Sequence, residues 1–121
     1  MIKLTTLFFA LGMILLSCRH QSNTSITVRE SDQYYSMKAL FNENRTREVE
    51  AYMDENIGDK NEVAFANTEM DAQITLDDHT FFYLKKFPGH VELKLNKYKN
   101  TPGGFHRIKA MCEGIKEVLS K

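Results

Sequence analysis

A chain of 121 residues is long enough for one domain, and its 42% hydrophobic and 26% charged residues are typical of a globular protein. The net charge is zero but unevenly spread: residues 30–78 carry four basic and thirteen acidic residues, whereas residues 79–121 carry nine and three. We expect the two halves to lie close and neutralise each other. The alternative is a charged face for an anionic partner.

The N-terminus has the pattern of an export signal. Lys3 supplies a positive charge, and residues 4–16 form an apolar run interrupted only by Thr5, Thr6 and Gly12. This run is shorter than the ~20 residues that a membrane-spanning helix needs, and polar sequence follows it at once. We therefore predict a cleaved signal peptide over residues 1–17 rather than a transmembrane helix.

The end of the run, Leu15-Leu16-Ser17-Cys18, resembles the lipobox of bacterial lipoproteins, which are substrates of signal peptidase II. Leu16 departs from the usual small residue, and Ser17 fits the pattern. The resemblance implies cleavage before Cys18, a diacylglyceryl thioether on its sulfur and acylation of the new N-terminus. Such chains anchor a protein stably because each buried CH₂ contributes about 0.8 kcal/mol. The alternative is an ordinary signal peptide with an incidental cysteine.

The residue after Cys18 bears on the location. Enterobacterial lipoproteins kept at the inner membrane have Asp there, whereas this chain has Arg19. By analogy we expect the outer membrane of the cell envelope, facing the periplasm. Residues 18–33 are predicted to be the lipidated cysteine and a flexible tether, because the segment is mostly polar and small. Residues 34–121 are predicted to be one small domain.

Hydrophobic periodicity within residues 34–121 predicts an α+β domain. Apolar residues at helical spacing predict two amphipathic helices, over residues 45–57 and from Phe105 to Leu119. Alternating apolar and polar residues predict strands at 34–41, 70–76, 80–86 and 90–95, with residues 63–67 a candidate extension of the second. Thr101-Pro102-Gly103-Gly104 is predicted to be a break before the second helix. The resulting order is β-α-β-β-β-α: an antiparallel sheet with both helices on one face.

The turns fix the register of the last three strands. A three-residue loop with left-handed His79, followed by a turn at Pro88-Gly89, places Phe82 and Leu84 towards the helices. The same register places Tyr83 opposite Lys94, and Lys85 opposite Glu92, on the other face. Residues 74–86 with Pro88-Gly89 resemble small uncharacterised lipoproteins of Bacteroidota-type bacteria, a resemblance that implies no activity.

The face of the sheet away from the helices is the predicted interaction surface, with Phe81, Tyr83, Lys85 and Lys94 as its candidate residues. Exposed aromatic side chains beside cations are enriched in interfaces, although scattered aromatics on a sheet also occur without a function. We expect a non-enzymatic binding domain with an envelope protein as partner and no nucleic acid. A homo-oligomeric structural component is the alternative.

Other candidates have weaker patterns. Asp77, Asp78, His79 and His106 are predicted at one end of the sheet and form the alternative, a small metal-binding site. Cys112 falls in the apolar stripe of the second helix and is expected to be a buried free thiol. Gly103-Gly104 with nearby cations could hold an anion, but a breaker turn is the simpler interpretation. No catalytic residue and no cofactor is predicted.

Overall fold

The computed structural model describes residues 24–58 and 64–121. The predicted signal peptide, Cys18 and the first part of the predicted tether lie outside the described residues. No helix within the two described ranges is long and apolar enough to cross a membrane. The strands and α-helices are β1 Ser25–Glu30, β2 Tyr34–Leu40, α1 Thr46–Met53, β3 Met70–Thr75, β4 Phe81–Phe87, β5 His90–Asn96 and α2 Pro102–Ser120.

The five strands form one antiparallel sheet in the order β1-β2-β5-β4-β3. Alternate residues of the three central strands are buried against the helices, so α1 and α2 cover the same face of the sheet. The predicted fold class, an α+β domain with an antiparallel sheet and two helices on one face, is confirmed. The order of elements differs from the prediction by one additional strand, β1.

Strand β1 corrects the predicted tether. Residues 25–30 were expected to be part of a flexible spacer, but they pair with β2 along their whole length, from Ser25↔Leu40 to Glu30↔Tyr35. The strand was missed because it is at the edge of the sheet and five of its six residues are exposed, so the sequence shows little apolar alternation. Ile26 alone packs against the core. The fold therefore begins before residue 34.

The predicted register of the two hairpins is confirmed. His79 has a φ of 69°, and the Leu76 amide donates to the Thr80 carbonyl at 2.8 Å, which closes the three-residue loop. In the second hairpin Tyr83 is opposite Lys94, and Lys85 is opposite Glu92. These pairs lie on the face away from the helices, while Phe82 and Leu84 are buried beneath them.

Two predicted boundaries change. Helix α2 begins at Pro102, so Gly103 and Gly104 are helical rather than a breaker turn, and the Thr101 hydroxyl caps the helix by accepting from the Gly104 amide at 3.0 Å. A glycine is needed at 104 because a Cβ there would lie 2.4 Å from the Thr80 hydroxyl oxygen. The described part of 63–67 does not extend β3: Phe65 is buried in a loop, and Asn67 turns the chain with a φ of 58°.

The helices lie close to each other because of a glycine. At Gly114 of α2, an added Cβ would lie 1.6 Å from the Tyr52 hydroxyl of α1. Arg45, which precedes α1, donates to the carbonyls of Val118 and Leu119 at 2.7 and 3.1 Å and so satisfies the end of α2. Helix α1 then ends in a π-helical turn, Asp54–Gly58.

The acidic and basic halves of the chain neutralise each other in part. Among the residues that the structure describes, four ion pairs join 30–78 to 79–121, namely Glu50–Lys86, Glu30–Lys97, Glu30–Lys109 and Asp78–Arg107. Hydrogen bonds from Lys97 and Lys109 hold the pKa of Glu30 below its ordinary value. This arrangement agrees with the expectation that the two halves lie close together.

Candidate binding face of the sheet

The outer face, which we define as the face of the sheet away from α1 and α2, is organised in rows that run across the strands. Side chains of paired residues lie side by side because partners in an antiparallel sheet share a face. The middle row consists of Arg29, Ser36, Lys94, Tyr83 and Gln73. The adjacent row, which we call the mixed row, consists of Thr27, Lys38, Glu92, Lys85 and Asp71.

The two rows differ in charge. In the mixed row each lysine has an acidic residue as a cross-strand neighbour, so the charges alternate along the row. The middle row holds two cations, Arg29 and Lys94, and no carboxylate. In the described ranges neither cation lies within 4.0 Å of a carboxylate oxygen. The middle row is therefore the uncompensated positive part of the outer face.

Aromatic rings flank Lys94. The Lys94 ammonium lies 4.5 Å from the centre of the Tyr34 ring, within the range of a cation–π contact. On the other side, the Tyr83 hydroxyl donates to Asp71 Oδ1 at 2.6 Å. This hydrogen bond, together with some burial and the charges of Asp71 and Glu92, raises the pKa of Tyr83 to about 12. Tyr83 is therefore a neutral, oriented phenol at physiological pH.

The outer face contains two adjoining open depressions. The first, of about 530 Å³, is lined by both cations of the middle row and by the Ser36 and Tyr83 side chains. The second, of about 350 Å³, is lined by Tyr34, Phe81, Tyr83 and Lys94. Lys94 and Tyr83 thus lie where the two depressions meet. The depressions combine cations, the Ser36 hydroxyl and aromatic surface, with Glu92 as the one carboxylate among the described residues that line them, and this combination suits a polar group that is anionic on balance.

All four predicted surface residues, Phe81, Tyr83, Lys85 and Lys94, lie on the outer face. Tyr83 and Lys94 are neighbours in the middle row, while Lys85 lies between Glu92 and Asp71 in the mixed row. The sequence did not predict the contributions of β1 and β2. Arg29 was missed because its segment was interpreted as tether, and its position depends on pairing with β2, which no local pattern reveals.

The predicted alternative metal site is not formed. Asp78 Oδ1 accepts from the Thr80 amide at 3.1 Å and lies 2.8 Å from Arg107 Nη2. Although partial burial opposes ionisation, these hydrogen bonds and the Arg107 charge hold the pKa of Asp78 below its ordinary value. In the part of the chain that the structure describes, no three His, Cys, Asp or Glu side chains converge as metal ligands, so Asp77, His79 and His106 do not join Asp78 in such a group.

The remaining candidates are explained by packing. Cys112 is a buried free thiol, as predicted, and burial raises its pKa to about 12, which leaves it a poor nucleophile at neutral pH. At the start of α2, the Gly104 amide is already bonded to Thr101. The Cys112 thiol and the Gly104 amide are thus both engaged within the fold.

An unanticipated charged pair lies beneath the sheet. The Lys86 side chain, 2% exposed, donates to Glu50 Oε2 at 2.6 Å and also to the Thr68 carbonyl. Glu50 Oε1 accepts from the Asn67 amide at 3.2 Å. The pair thus joins β4, α1 and the loop before β3. Because its hydrogen bonds are made within the fold, we interpret it as a structural link.

Comparisons with protein-family models, with curated proteins and with solved structures find no match to this chain.

Proposed function

We propose that this chain is a lipid-anchored protein of the bacterial cell envelope, whose domain binds a partner through the outer face of the sheet. The observation that carries the proposal is the middle row: Arg29 and Lys94 have no carboxylate partner within the described residues and lie beside Ser36 and Tyr83. Two cations beside hydroxyl and aromatic side chains are suited to binding an anionic group.

The chemistry of the middle row favours a partner that carries carboxylate or phosphate groups. The aligned register holds Arg29 and Lys94 two strands apart, which corresponds to ~10 Å at ~4.8 Å per strand. A partner with acidic groups at a similar spacing can contact both cations at once. Tyr34 and Phe81 add apolar surface at the edge of the depressions. The proposed partner is an anionic envelope protein, and its complex should weaken as salt screens the charges.

The proposed location at the membrane depends on Cys18. Its support is the sequence of the signal and its resemblance to a lipobox. The full chain, produced in a Gram-negative bacterium with an alkyne analogue of palmitate, should become labelled and sediment with membranes. Cys18→Ser should abolish the label and prevent removal of residues 1–17. An unlabelled wild-type chain, in membranes whose other lipoproteins are labelled, would contradict the lipid anchor.

Binding is tested by cross-linking the full chain to its neighbours in cells and then comparing variants. Tyr83→Ala with Lys94→Ala should abolish the cross-linked partner while the circular dichroism spectrum stays unchanged. The matched control is Lys116→Ala with Glu117→Ala, two exposed residues of α2 in the opposite layer of the domain. Loss of the partner in both double variants, or in neither, would remove the outer face as the binding surface.

The same cross-link distinguishes the homo-oligomeric alternative. If the outer face binds a second copy of this chain, the cross-linked product has twice the mass of the protein. If it binds an anionic envelope protein, the product contains a second polypeptide, and its yield falls as the salt concentration rises.

A further inference from the structure

The strand β1 shortens the proposed tether. With the fold beginning at Ser25, six residues, 19–24, separate it from Cys18. Whatever conformation they adopt, seven Cα steps of about 3.5 Å limit the distance between Cys18 and Ser25 to about 25 Å. If Cys18 carries the proposed lipid, the domain is therefore held at the bilayer surface, so that even a weak contact with lipid is strongly populated. This inference rests on the proposed anchor.

The register shows which end of the domain is closest to the anchor. Ser25 is paired with Leu40, Leu40 with His90, and His90 with Phe87, so these four residues form one row across the outer face. We call this row the anchor-proximal row. It contains two of the large exposed apolar side chains of the domain, Leu40 and Phe87, each 41% exposed. His90 is covered by the Phe87 ring, which stacks on it at 4.4 Å between centroids.

Charge does not explain this end of the domain. Lys38 and Lys85 lie in the next row with Glu92 between them. The cleft beside Phe87 is lined by Glu43 and Glu69 as well as by Arg47, so basic residues do not predominate. The shared property of Leu40 and Phe87 is apolar exposure next to the point where the tether joins the fold. Apolar side chains held near a bilayer gain free energy by entering the boundary between headgroups and acyl chains.

We propose that the anchor-proximal row contacts the bilayer in which Cys18 is anchored, with Leu40 and Phe87 inserted into the interfacial region. The strands then rise from the membrane. At ~3.3 Å per residue, Ser36 lies ~13 Å and Tyr34 ~20 Å along β2 from Leu40. The middle row and its aromatic neighbours are thereby presented away from the lipid, towards partners in the surrounding space.

Fluorescence provides a direct test because the chain has no tryptophan. The lipidated protein is reconstituted into zwitterionic vesicles whose acyl chains carry bromine, which quenches tryptophan at short range. Phe87→Trp places the probe in the anchor-proximal row, and Leu40→Trp is a second, independent probe in that row. The control is Tyr98→Trp, a residue 72% exposed that follows β5 at the opposite end of the sheet.

We expect tryptophan at 87 and at 40 to lose emission in brominated vesicles and to shift to shorter wavelength, and tryptophan at 98 to do neither. Adding anionic lipid should leave these differences unchanged, because the contact is apolar. Equal quenching at 98 and 87, or none at 87 and 40 in protein that is labelled by palmitate, would overturn the orientation while leaving the anchor intact. Absence of palmitate label and of vesicle binding would overturn the anchor and this inference with it.

Discussion

The two faces of the sheet are built on different principles. The inner face contacts α1 and α2 through buried apolar side chains from the central strands, together with one charged residue, Lys86. The middle and mixed rows of the outer face are polar, and their order lies in cross-strand neighbours of charge rather than in apolar packing. Lys85 and Lys86 are consecutive in β4 and have opposite surroundings, because successive side chains of a strand point to opposite faces.

The same residue type therefore has two different roles within one strand. Inward, Lys86 is enclosed and joined to Glu50, so its loss affects the free energy of unfolding. Outward, Lys85 is partly exposed to water and flanked by Glu92 and Asp71 across the sheet, so the fold depends little on it. Stability should therefore reside on the inner face and binding on the outer face.

The largest expected effect comes from breaking the buried pair. Lys86→Met removes the ammonium and leaves the Glu50 carboxylate enclosed without its counter-charge. We expect the free energy of unfolding to fall by about 3–5 kcal/mol, measured by urea denaturation. The matched control is Lys85→Met on the outer face, for which we expect a change within about 0.5 kcal/mol.

A double variant separates charge burial from packing. Glu50→Leu combined with Lys86→Met removes both charges and should recover much of the loss, because apolar residues of similar volume often replace a buried pair at little cost. Equal destabilisation by Lys85→Met and Lys86→Met would contradict the division of roles between the two faces.

The inner face was largely predictable, and the reason lies in local patterns. The alternation of Ile74, Phe82 and Leu84 with polar residues, together with the loop lengths, determined two hairpins and their register. The spacing of Ile108 and Cys112 likewise predicted the buried stripe of α2. Where side chains pack in the core, apolar residues recur in the sequence with the period of the strand or the helix, and the element can therefore be predicted.

The remaining features depend on contacts between distant residues. Strand β1 is recognised only by its pairing with β2. Arg45 donates to the carbonyl of Leu119, which is 74 residues away in the chain. Glu50, the partner of Lys86, is 36 residues away. The outer face was identified by Tyr83 and Lys94, which belong to one hairpin. Arg29 could not be predicted as part of the outer face, because its neighbours in the middle row come from other segments of the chain.

A second prediction concerns the end of the sheet farthest from the anchor-proximal row. Beyond the end of β5, the Asn100 side chain takes the place of a strand residue opposite β4. It accepts from the Phe81 amide at 2.8 Å and donates to the Phe81 carbonyl at 2.9 Å. Asn100→Ala leaves both groups without partners, and we expect a loss of about 1–3 kcal/mol in urea denaturation. Asn44→Ala, at an exposed position, is the control and should change stability by less than about 0.5 kcal/mol. Equal losses of stability in Asn100→Ala and Asn44→Ala would show that the two Asn100 hydrogen bonds do not stabilise the fold.

A third prediction tests the packing of the helical layer with two glycines of the same helix. Gly114→Ala adds a methyl group where the Tyr52 hydroxyl lies, so we expect destabilisation of about 1–3 kcal/mol despite the better helix propensity of alanine. At Gly103 nothing lies within 4 Å of the added Cβ, and Gly103→Ala should stabilise by about 0.4–1 kcal/mol. Thermal unfolding followed by circular dichroism measures both. The close approach of the helices would be contradicted by stabilisation at both positions.

The smallest effect is expected on the outer face, in the ionisation of Tyr83. Its pKa of about 12 is raised first by the hydrogen bond to Asp71, so Asp71→Asn should lower it towards the ordinary value of about 10. Because the pKa is raised in the folded state, the stabilisation by this bond is present below about pH 10 and is lost as the pH rises through about 12. Phenolate absorbance between about pH 9 and pH 13, taken as the difference from Tyr83→Phe, measures the midpoint.

The same titration relates the ionisation of Tyr83 to binding. Near neutral pH the phenol is un-ionised with either residue at 71, so Asp71→Asn removes the charged acceptor, and with it the small stabilisation by this bond, and frees the Tyr83 hydroxyl to reorient. Weaker cross-linking by Asp71→Asn in protein that remains folded would indicate that the orientation of this hydroxyl matters for the partner. An unchanged midpoint in Asp71→Asn would instead show that Asp71 does not hold Tyr83, and that burial and Glu92 account for its pKa.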